Sequence, residues 1–140
     1  MGAKLSTADI QSDEAALKGR LEAWFSLMKE KRLEDVVNLY TTDCIILPPK
    51  QPIHKGHEVT TPFLFIDGRK VFRQFIEAGV TCLHTGYVTL DLHGNIAITV
   101  STYSIQDAEK EIETGSVLNT WKKLDDGLWY MFRGTWGPSS

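Results

Sequence analysis

Cysteine is scarce in this sequence, with Cys44 and Cys82 as the only two among 140 residues. The two could form one disulfide, but so few cysteines are more typical of two buried, reduced thiols in a cytosolic protein. An excess of positive charge is also lacking, because 15 Lys and Arg stand against 18 Asp and Glu. Proteins that bind the phosphates of nucleic acids usually carry a basic excess, so we expect no nucleic-acid partner.

Long apolar runs and the short motifs of common enzyme classes are missing as well. No stretch reaches the roughly 18 apolar residues of a membrane-spanning helix, and residues 1–7 contain no apolar core of a signal peptide. The phosphate-loop, dinucleotide-binding, nucleophile-elbow and zinc-protease motifs are all absent. The sequence therefore predicts a cytoplasmic protein that has no membrane partner and no cofactor.

The composition that is present suits one folded domain. Apolar residues make up 42% of the chain and charged residues 24%, which is close to the average of globular proteins. A chain of 140 residues is long enough to bury a core without a metal or a disulfide. We expect a single domain over residues 1–140, with a core at about 8–136 and flexible termini.

Two kinds of periodicity divide the chain near Val80. Before it, apolar residues recur mainly at helical spacing, and after it they alternate as in strands. The elements predicted before residue 80 are a helix over 7–31, a short helix from 33, a strand over 44–47, a loop over 50–62, a short strand over 63–66 and a helix ended by Gly79. The strands predicted after it cover 81–92, 96–105, 112–124 and 128–136. This order predicts an α+β domain in which helices cover one face of a curved antiparallel sheet.

Three segments in this order resemble the nuclear transport factor 2-like superfamily. They are the helix-to-strand junction Leu39–Leu47, the glycine-led helix Gly68–Phe75 and the closing hairpin between Trp121 and Trp136. The similarity spans about residues 8–136. The most similar members are small domains of unknown function, SnoaL-like polyketide cyclases and the association domain of calcium/calmodulin-dependent kinase II. The resemblance implies a cystatin-like α-β-β-α-type roll, a cone in which a curved antiparallel sheet wraps around a long N-terminal helix and leaves a hydrophobic cavity.

The resemblance implies three kinds of function. The first is a non-catalytic domain that binds a small apolar ligand or associates with itself. The alternative is a SnoaL-like or ketosteroid isomerase-like enzyme, an isomerase, cyclase or dehydratase, and a further alternative is an oligomerisation hub like that of the kinase. The position that matches the isomerase's carboxylate base falls at or beside Pro48, and neither Pro48 nor its neighbours Leu47 and Pro49 can accept a proton. The ending Phe132–Trp136 also lacks the histidines of the kinase hub.

Aromatic residues from every part of the chain could meet inside such a cone. An aromatic-lined pocket with a few polar groups is typical of ligand sites, but the same residues could simply fill the core. Asn119 and Arg133 would supply the polar groups if the strands point them inward. The predicted ligand-pocket residues are Trp24, Tyr40, Phe72, Tyr103, Asn119, Trp121, Arg133 and Trp136.

The catalytic candidates are His84 and Tyr40. An imidazole can transfer a proton near neutral pH, although His84 could equally be a hydrogen-bonded structural residue. His54 and His57 lie three residues apart in the long loop, but zinc needs three or four ligands, so we predict no metal site. The loop itself could be a lid, an interface or an ordinary surface loop.

We expect a homodimer through the outer face of the sheet. That face would consist of Thr99, Ser101, Tyr103 and Ile105 if the alternate residues of the strand are core. It could bury about 800 Å² per partner, as a stable dimer requires.

Overall fold

A computed structural model of the chain describes residues 7–50, 53–55 and 68–139. The chain order places two helices before the first strands and a third helix before the remaining four strands, as the periodicity predicts. The elements are α1 (Thr7–Lys29), α2 (Leu33–Val37), β1 (Tyr40–Leu47), β2 (His54–Lys55), α3 (Gly68–Ala78), β3 (Thr81–His93), β4 (Ile96–Asp107), β5 (Lys110–Lys123) and β6 (Trp129–Pro138).

The six strands form one curved sheet in the order β2-β1-β6-β5-β4-β3. Strands β3 to β6 are an antiparallel meander, and Gly94 and Gly127 in two of its turns adopt a positive φ. Strand β1 runs parallel to β6, with Leu47 opposite Thr135. The sequence predicts β1 itself but not this parallel partner, which is distant in the chain. The predicted α+β architecture is confirmed.

The first helix packs its apolar side against the concave face of the sheet. Leu17, Leu21 and Met28 of α1 form one core cluster with Trp121 and Met131 of the sheet. The spacings of four and seven residues between these helix positions place them on one side of α1. Burial of this side, rather than helix propensity alone, holds α1 in place.

A polar network attaches the N-terminal half of α1 to the sheet. Asp13 accepts hydrogen bonds from Lys123 Nζ at 3.1 Å and from Trp129 Nε1 at 3.3 Å. Two helical turns further along, Arg20 Nε donates to the Trp129 backbone oxygen at 2.8 Å. Because Asp13 is nearly buried, its carboxylate needs these partners in place of the water that it loses on burial.

The residues of β4 that were predicted to form the outer, dimer-forming face lie on its concave face instead. Thr99, Ser101, Tyr103 and Ile105 lie on the concave side and are buried, whereas Ile98 is 36% exposed on the outer face. The prediction that those four residues form the outer face is therefore wrong. Small residues on the concave side leave room for the indole of Trp121, and Trp121 Nε1 donates to Thr99 Oγ1 at 2.9 Å, which allows that polar residue to be buried.

Three further predictions concern the two cysteines, the long loop and the absence of a membrane-spanning helix. Cys44 and Cys82 are both buried, and neither takes part in a disulfide. The predicted loop over 50–62 contains the two-residue strand β2, which pairs with Ile45 and Ile46 of β1. Residues 51–52 and 56–62 of that loop and the predicted strand over 63–66 lie outside the described residues. Within the described part of the chain, no helix has the length and apolar character needed to cross a membrane.

Candidate functional site

A cavity lies between α1, α3 and the concave face of the sheet. Its volume is about 50 Å³, and it is partly open to solvent. One water molecule needs roughly 10–15 Å³, so the cavity holds a few water molecules or the buried part of a small ligand. It is lined by Leu21, Trp24, Phe25, Tyr40, Ile46, Phe75, Cys82, Tyr103, Ile105, Val117, Asn119, Met131, Gly134 and Trp136.

The structure brings five of the eight predicted pocket residues together, and these are Trp24, Tyr40, Tyr103, Asn119 and Trp136. Trp121 is fully buried in the core and is not part of the lining, so its assignment to the pocket is wrong. Its indole is held by Thr99 instead, and it packs between Ala97 and Met131 in the sheet. Phe72 belongs to α3, but its side chain is outside what the structure describes.

Arg133 lies on the outer face of the sheet, opposite to the prediction. Trp121 pairs with Met131 and Thr120 pairs with Arg133, so Phe132 is an extra residue that bulges out of the ladder. The bulge reverses the alternation and turns Arg133 outward, where its Nη1 donates to the Asp43 backbone oxygen at 3.2 Å. A prediction from strict alternation cannot detect such a bulge.

Asn119 places a side-chain amide in the wall of the cavity. The residue is only 5% exposed, and no hydrogen bond joins its amide to another residue within 7–50, 53–55 and 68–139. Its amide atoms are not among the fully buried ones, so they face the cavity. Gly134 lies opposite it on β6, and a Cβ at that position would come within 2.7 Å of Asn119 Oδ1. The glycine therefore leaves the space that the amide occupies. An amide that faces the cavity without a protein partner can accept from and donate to a ligand there.

Tyr40 contributes a hydroxyl that keeps its proton. Burial raises the pKa of Tyr40 far above its ordinary value, and the neighbouring Cys44 raises it further. A hydrogen bond with Trp24 acts in the opposite direction but is the smallest of these effects. At neutral pH the group is therefore a neutral phenol that can hydrogen-bond a ligand but cannot serve as a base.

A carboxylate stands behind two of the lining residues. Tyr103 Oη donates to Glu113 Oε2 at 2.7 Å, and burial followed by this hydrogen bond raises the pKa of Tyr103. Burial, and then the charge of Glu113, raise the pKa of the Cys82 thiol to about 11. Sequence reasoning missed Glu113, although alternation from Asn119 through Val117 and Gly115 would have placed it on the same face.

His84, the other catalytic candidate, is not among the described residues that line the cavity. Its ring packs against Phe25, with 5.5 Å between the ring centroids, and against Tyr87 at 4.4 Å. Its Nε2 atom is buried and has no hydrogen-bond partner in the described part of the chain. Irregular pairing of β3 near Thr85 and Val88 shifts the strand's alternation on either side of these residues. Of the two catalytic candidates, only Tyr40 reaches the cavity.

Comparison with known proteins supports the fold through structure rather than sequence. No family model matches the chain, and no curated protein matches it by sequence. A protein of unknown function with a cystatin-like fold from Nostoc punctiforme matches with a TM-score of 0.71 at 13% identity, over 98% of this chain and 96% of its own.

Two other matching structures carry names that refer to enzymes. A protein of Streptomyces avermitilis, named as a proposed dehydratase of the nuclear transport factor 2-like family, has a TM-score of 0.70 at 15% identity over 93% of this chain and 98% of its own. A ketosteroid isomerase-like protein of Erwinia carotovora atroseptica has a TM-score of 0.65 at 13% identity over 90% and 95%. Identities this low show the fold alone. The chain has the nuclear transport factor 2-like, cystatin-like fold that its sequence resembles.

Proposed function

We propose that this chain, with its nuclear transport factor 2-like fold, is a non-catalytic domain that binds a small and mostly apolar molecule in the cavity. The observation that carries the proposal is the buried amide of Asn119, which stands without a partner in an apolar wall. A core that only filled space would be more stable with an apolar residue there. Apolar pockets with a few placed polar groups are typical of small-molecule sites.

Three features favour binding without chemistry. Pro48 stands at the position that matches the carboxylate base of ketosteroid isomerase. Tyr40 holds its proton, and the His84 ring packs against Phe25 and Tyr87 rather than lining the cavity. A catalytic role would require a group in the cavity that exchanges protons near neutral pH.

Toluene is a suitable first probe of the binding function. We expect it to bind saturably, to change the fluorescence of Trp24 and Trp136 in the cavity wall and to raise the melting temperature. The substitution Val117→Phe adds volume inside the cavity and should abolish the saturable change. Fluorescence titration and thermal unfolding of both proteins provide the measurement.

Ser116→Phe is the matched control for this experiment. Ser116 is exposed and adjacent in β5, on the face away from the cavity, so the same side chain placed there should leave toluene binding intact. Absence of saturable binding by the wild-type protein, or equal binding by the Val117→Phe protein, would contradict the proposed function.

Self-association through the outer face of the sheet is the second proposed function. Leu118 is 43% exposed on this face, next to Val100, with Ile98 two residues further along β4. The first helix packs on the opposite side, so it does not cover these residues. A second copy of the chain that packed here would bury them.

Sedimentation equilibrium tests this association directly. We expect the wild-type protein to be a dimer at micromolar concentration and Leu118→Arg to be a monomer, because a charge at the interface would lose its hydration. Ile112→Arg, at the exposed far end of β5, is the control and should remain a dimer. A monomeric wild type, or a dimeric Leu118→Arg protein, would exclude this surface.

A further inference from the structure

We infer that the cavity takes an uncharged ligand with one hydroxyl or amide group, which Asn119 binds, and that Glu113 excludes organic anions from the site. This inference rests on the binding function proposed above and narrows the class of ligand. It depends on two features, which are the unpartnered amide in the wall and the sign of the charge behind it.

The amide of Asn119 determines which polar group the ligand carries. A side-chain amide offers one carbonyl acceptor and two N–H donors. A ligand hydroxyl or amide both donates and accepts, so it can satisfy the acceptor and a donor of Asn119 together. A pure hydrocarbon would leave the amide unpaired at about 5% exposure. The ligand therefore gains affinity from one such group. The two hydroxyls of the described lining, those of Tyr40 and Tyr103, already have Trp24 and Glu113 as hydrogen-bond partners.

Charge determines what the cavity rejects. None of the described residues that line it is Lys, Arg or His, and Arg133 points away on the outer face. Glu113 stands behind this lining, where it accepts a hydrogen bond from Tyr103 at 2.7 Å and, after burial, is the second cause that raises the pKa of Cys82. A carboxylate ligand would lose its hydration without gaining a cation and would face a like charge.

A cationic ligand is disfavoured for a different reason. The hydroxyl of Tyr103 stands between Glu113 and the cavity and already donates its proton to the carboxylate. An ammonium group would therefore have no direct anionic partner at the cavity wall. Burial of an unpaired ammonium is as costly as burial of an unpaired carboxylate. The uncharged class is the one that remains.

Two pairs of matched probes separate the polar group from the charge. Phenol and toluene have the same number of heavy atoms and differ in a hydroxyl, and benzamide and benzoate differ mainly in charge. We expect phenol to bind about three- to tenfold more tightly than toluene, as one hydrogen bond provides. We expect benzamide to bind at least about 100-fold more tightly than benzoate at pH 7, because the anion cannot be paired.

Amino-acid substitutions test which residue causes the preference for a hydroxyl group and which causes the rejection of the anion. Asn119→Leu should lower the affinity ratio of phenol to toluene to about one, and Asn119→Ala repeats the test if the leucine variant does not fold. Glu113→Gln removes the charge but keeps an acceptor for Tyr103, and should raise the affinity for benzoate about tenfold relative to benzamide. Glu111→Gln is the control, because Glu111 accepts a hydrogen bond from Ser104 on the other face of the same strands. Its benzoate affinity should equal that of the wild type.

The outcomes distinguish this inference from the function on which it rests. If toluene does not bind the wild-type protein, the binding function fails, and this inference fails with it. If toluene binds but phenol binds no more tightly, or if benzoate binds as well as benzamide, the cavity is a ligand site of a different class. If phenol still binds more tightly than toluene to both Asn119 variants, the proposed role of the amide is likewise wrong.

Discussion

Replacing Gly115 by alanine is expected to lower the free energy of unfolding by about 3–5 kcal/mol. The aromatic ring of Tyr103 crosses β5 at this glycine, and an added Cβ would come within 2.5 Å of Tyr103 Oη and 2.6 Å of Cζ. It would also collide with the backbone oxygen of Gly137 on the next strand, which cannot rotate away. The ring must then move and give up its hydrogen bond to Glu113. Urea denaturation at pH 7 measures the loss.

Gly134→Ala is the matched control for this prediction. The Cβ at Gly134 would approach Asn119 Oδ1 at 2.7 Å, but the next contacts are ordinary ones at 3.9 Å. Because Oδ1 ends a side chain that can rotate, we expect a loss below about 1 kcal/mol. The double variant Gly115→Ala with Tyr103→Ala removes the ring and isolates the collision with the backbone. Equal stability of the Gly115→Ala and Gly134→Ala proteins would show that the close approach at Gly115 does not constrain the fold.

The order of elements was predictable because it depends on local periodicity and turn residues. The helix predicted over 7–31 is Thr7–Lys29, and Gly79 follows α3 with a φ of 71°, which glycine adopts without strain. The turns of the meander likewise fall at Gly94 and Gly127. These signals act within a few residues, so they can be interpreted without knowledge of the tertiary structure.

The faces of the strands were less predictable, because they depend on register. The bulge at Phe132 turns Arg133 outward, and no residue type near Phe132 indicates that a bulge is present. In β4 the polar residues Thr99 and Ser101 are buried, whereas the apolar Ile98 is exposed. Hydrophobic alternation therefore predicts the wrong face to be buried in this part of the strand. The indole of Trp121 makes this arrangement stable at Thr99, and that contact joins residues 22 positions apart.

The cavity could be predicted only in part. Aromatic and amide residues such as Trp24 and Asn119 indicate a pocket, and five of the eight predicted positions do line it. The contribution of Glu113 was missed because an isolated glutamate on a strand usually reflects a solvent-exposed face. Its role appears only when Tyr103 is seen to reach across Gly115. Contacts of this kind depend on the distance between strands, which local patterns do not encode.

A steep loss of stability above pH 9 is the second large expected effect. Burial, more than any other cause, raises the pKa of Cys82 from 9.0 to about 11 and raises the pKa values of Tyr40 and Tyr103 above 10.0. These groups are neutral in the folded protein at a pH where the unfolded chain ionises them. The folded state therefore binds more protons, and stability falls as the pH rises. By pH 10.5 we expect a loss of about 3 kcal/mol relative to pH 8.

The pH window differs between the groups. The contribution of Cys82 is complete below about pH 9 and is lost between pH 9 and pH 11, while the tyrosines begin to contribute to the loss near pH 10. Urea denaturation midpoints at pH 8, 9, 10 and 10.5 resolve the two parts. A free energy of unfolding that is the same at pH 8 and pH 10.5 would show that these groups ionise as freely in the fold as in the unfolded chain.

Substitutions show which residues cause this loss. The informative quantity is the slope of the free energy of unfolding against pH, and not its value at any one pH. Cys82→Ala removes a titrating thiol, so the decline between pH 9 and pH 10 should become shallower even though the variant is less stable at pH 8. Val117→Ala removes a similar apolar volume from the same cavity without a titratable group, and should lower stability equally at every pH. Tyr40→Phe should change only the part above pH 10. If Cys82→Ala and Val117→Ala decline with the same slope as the wild type, the thiol is not the group that ionises on unfolding.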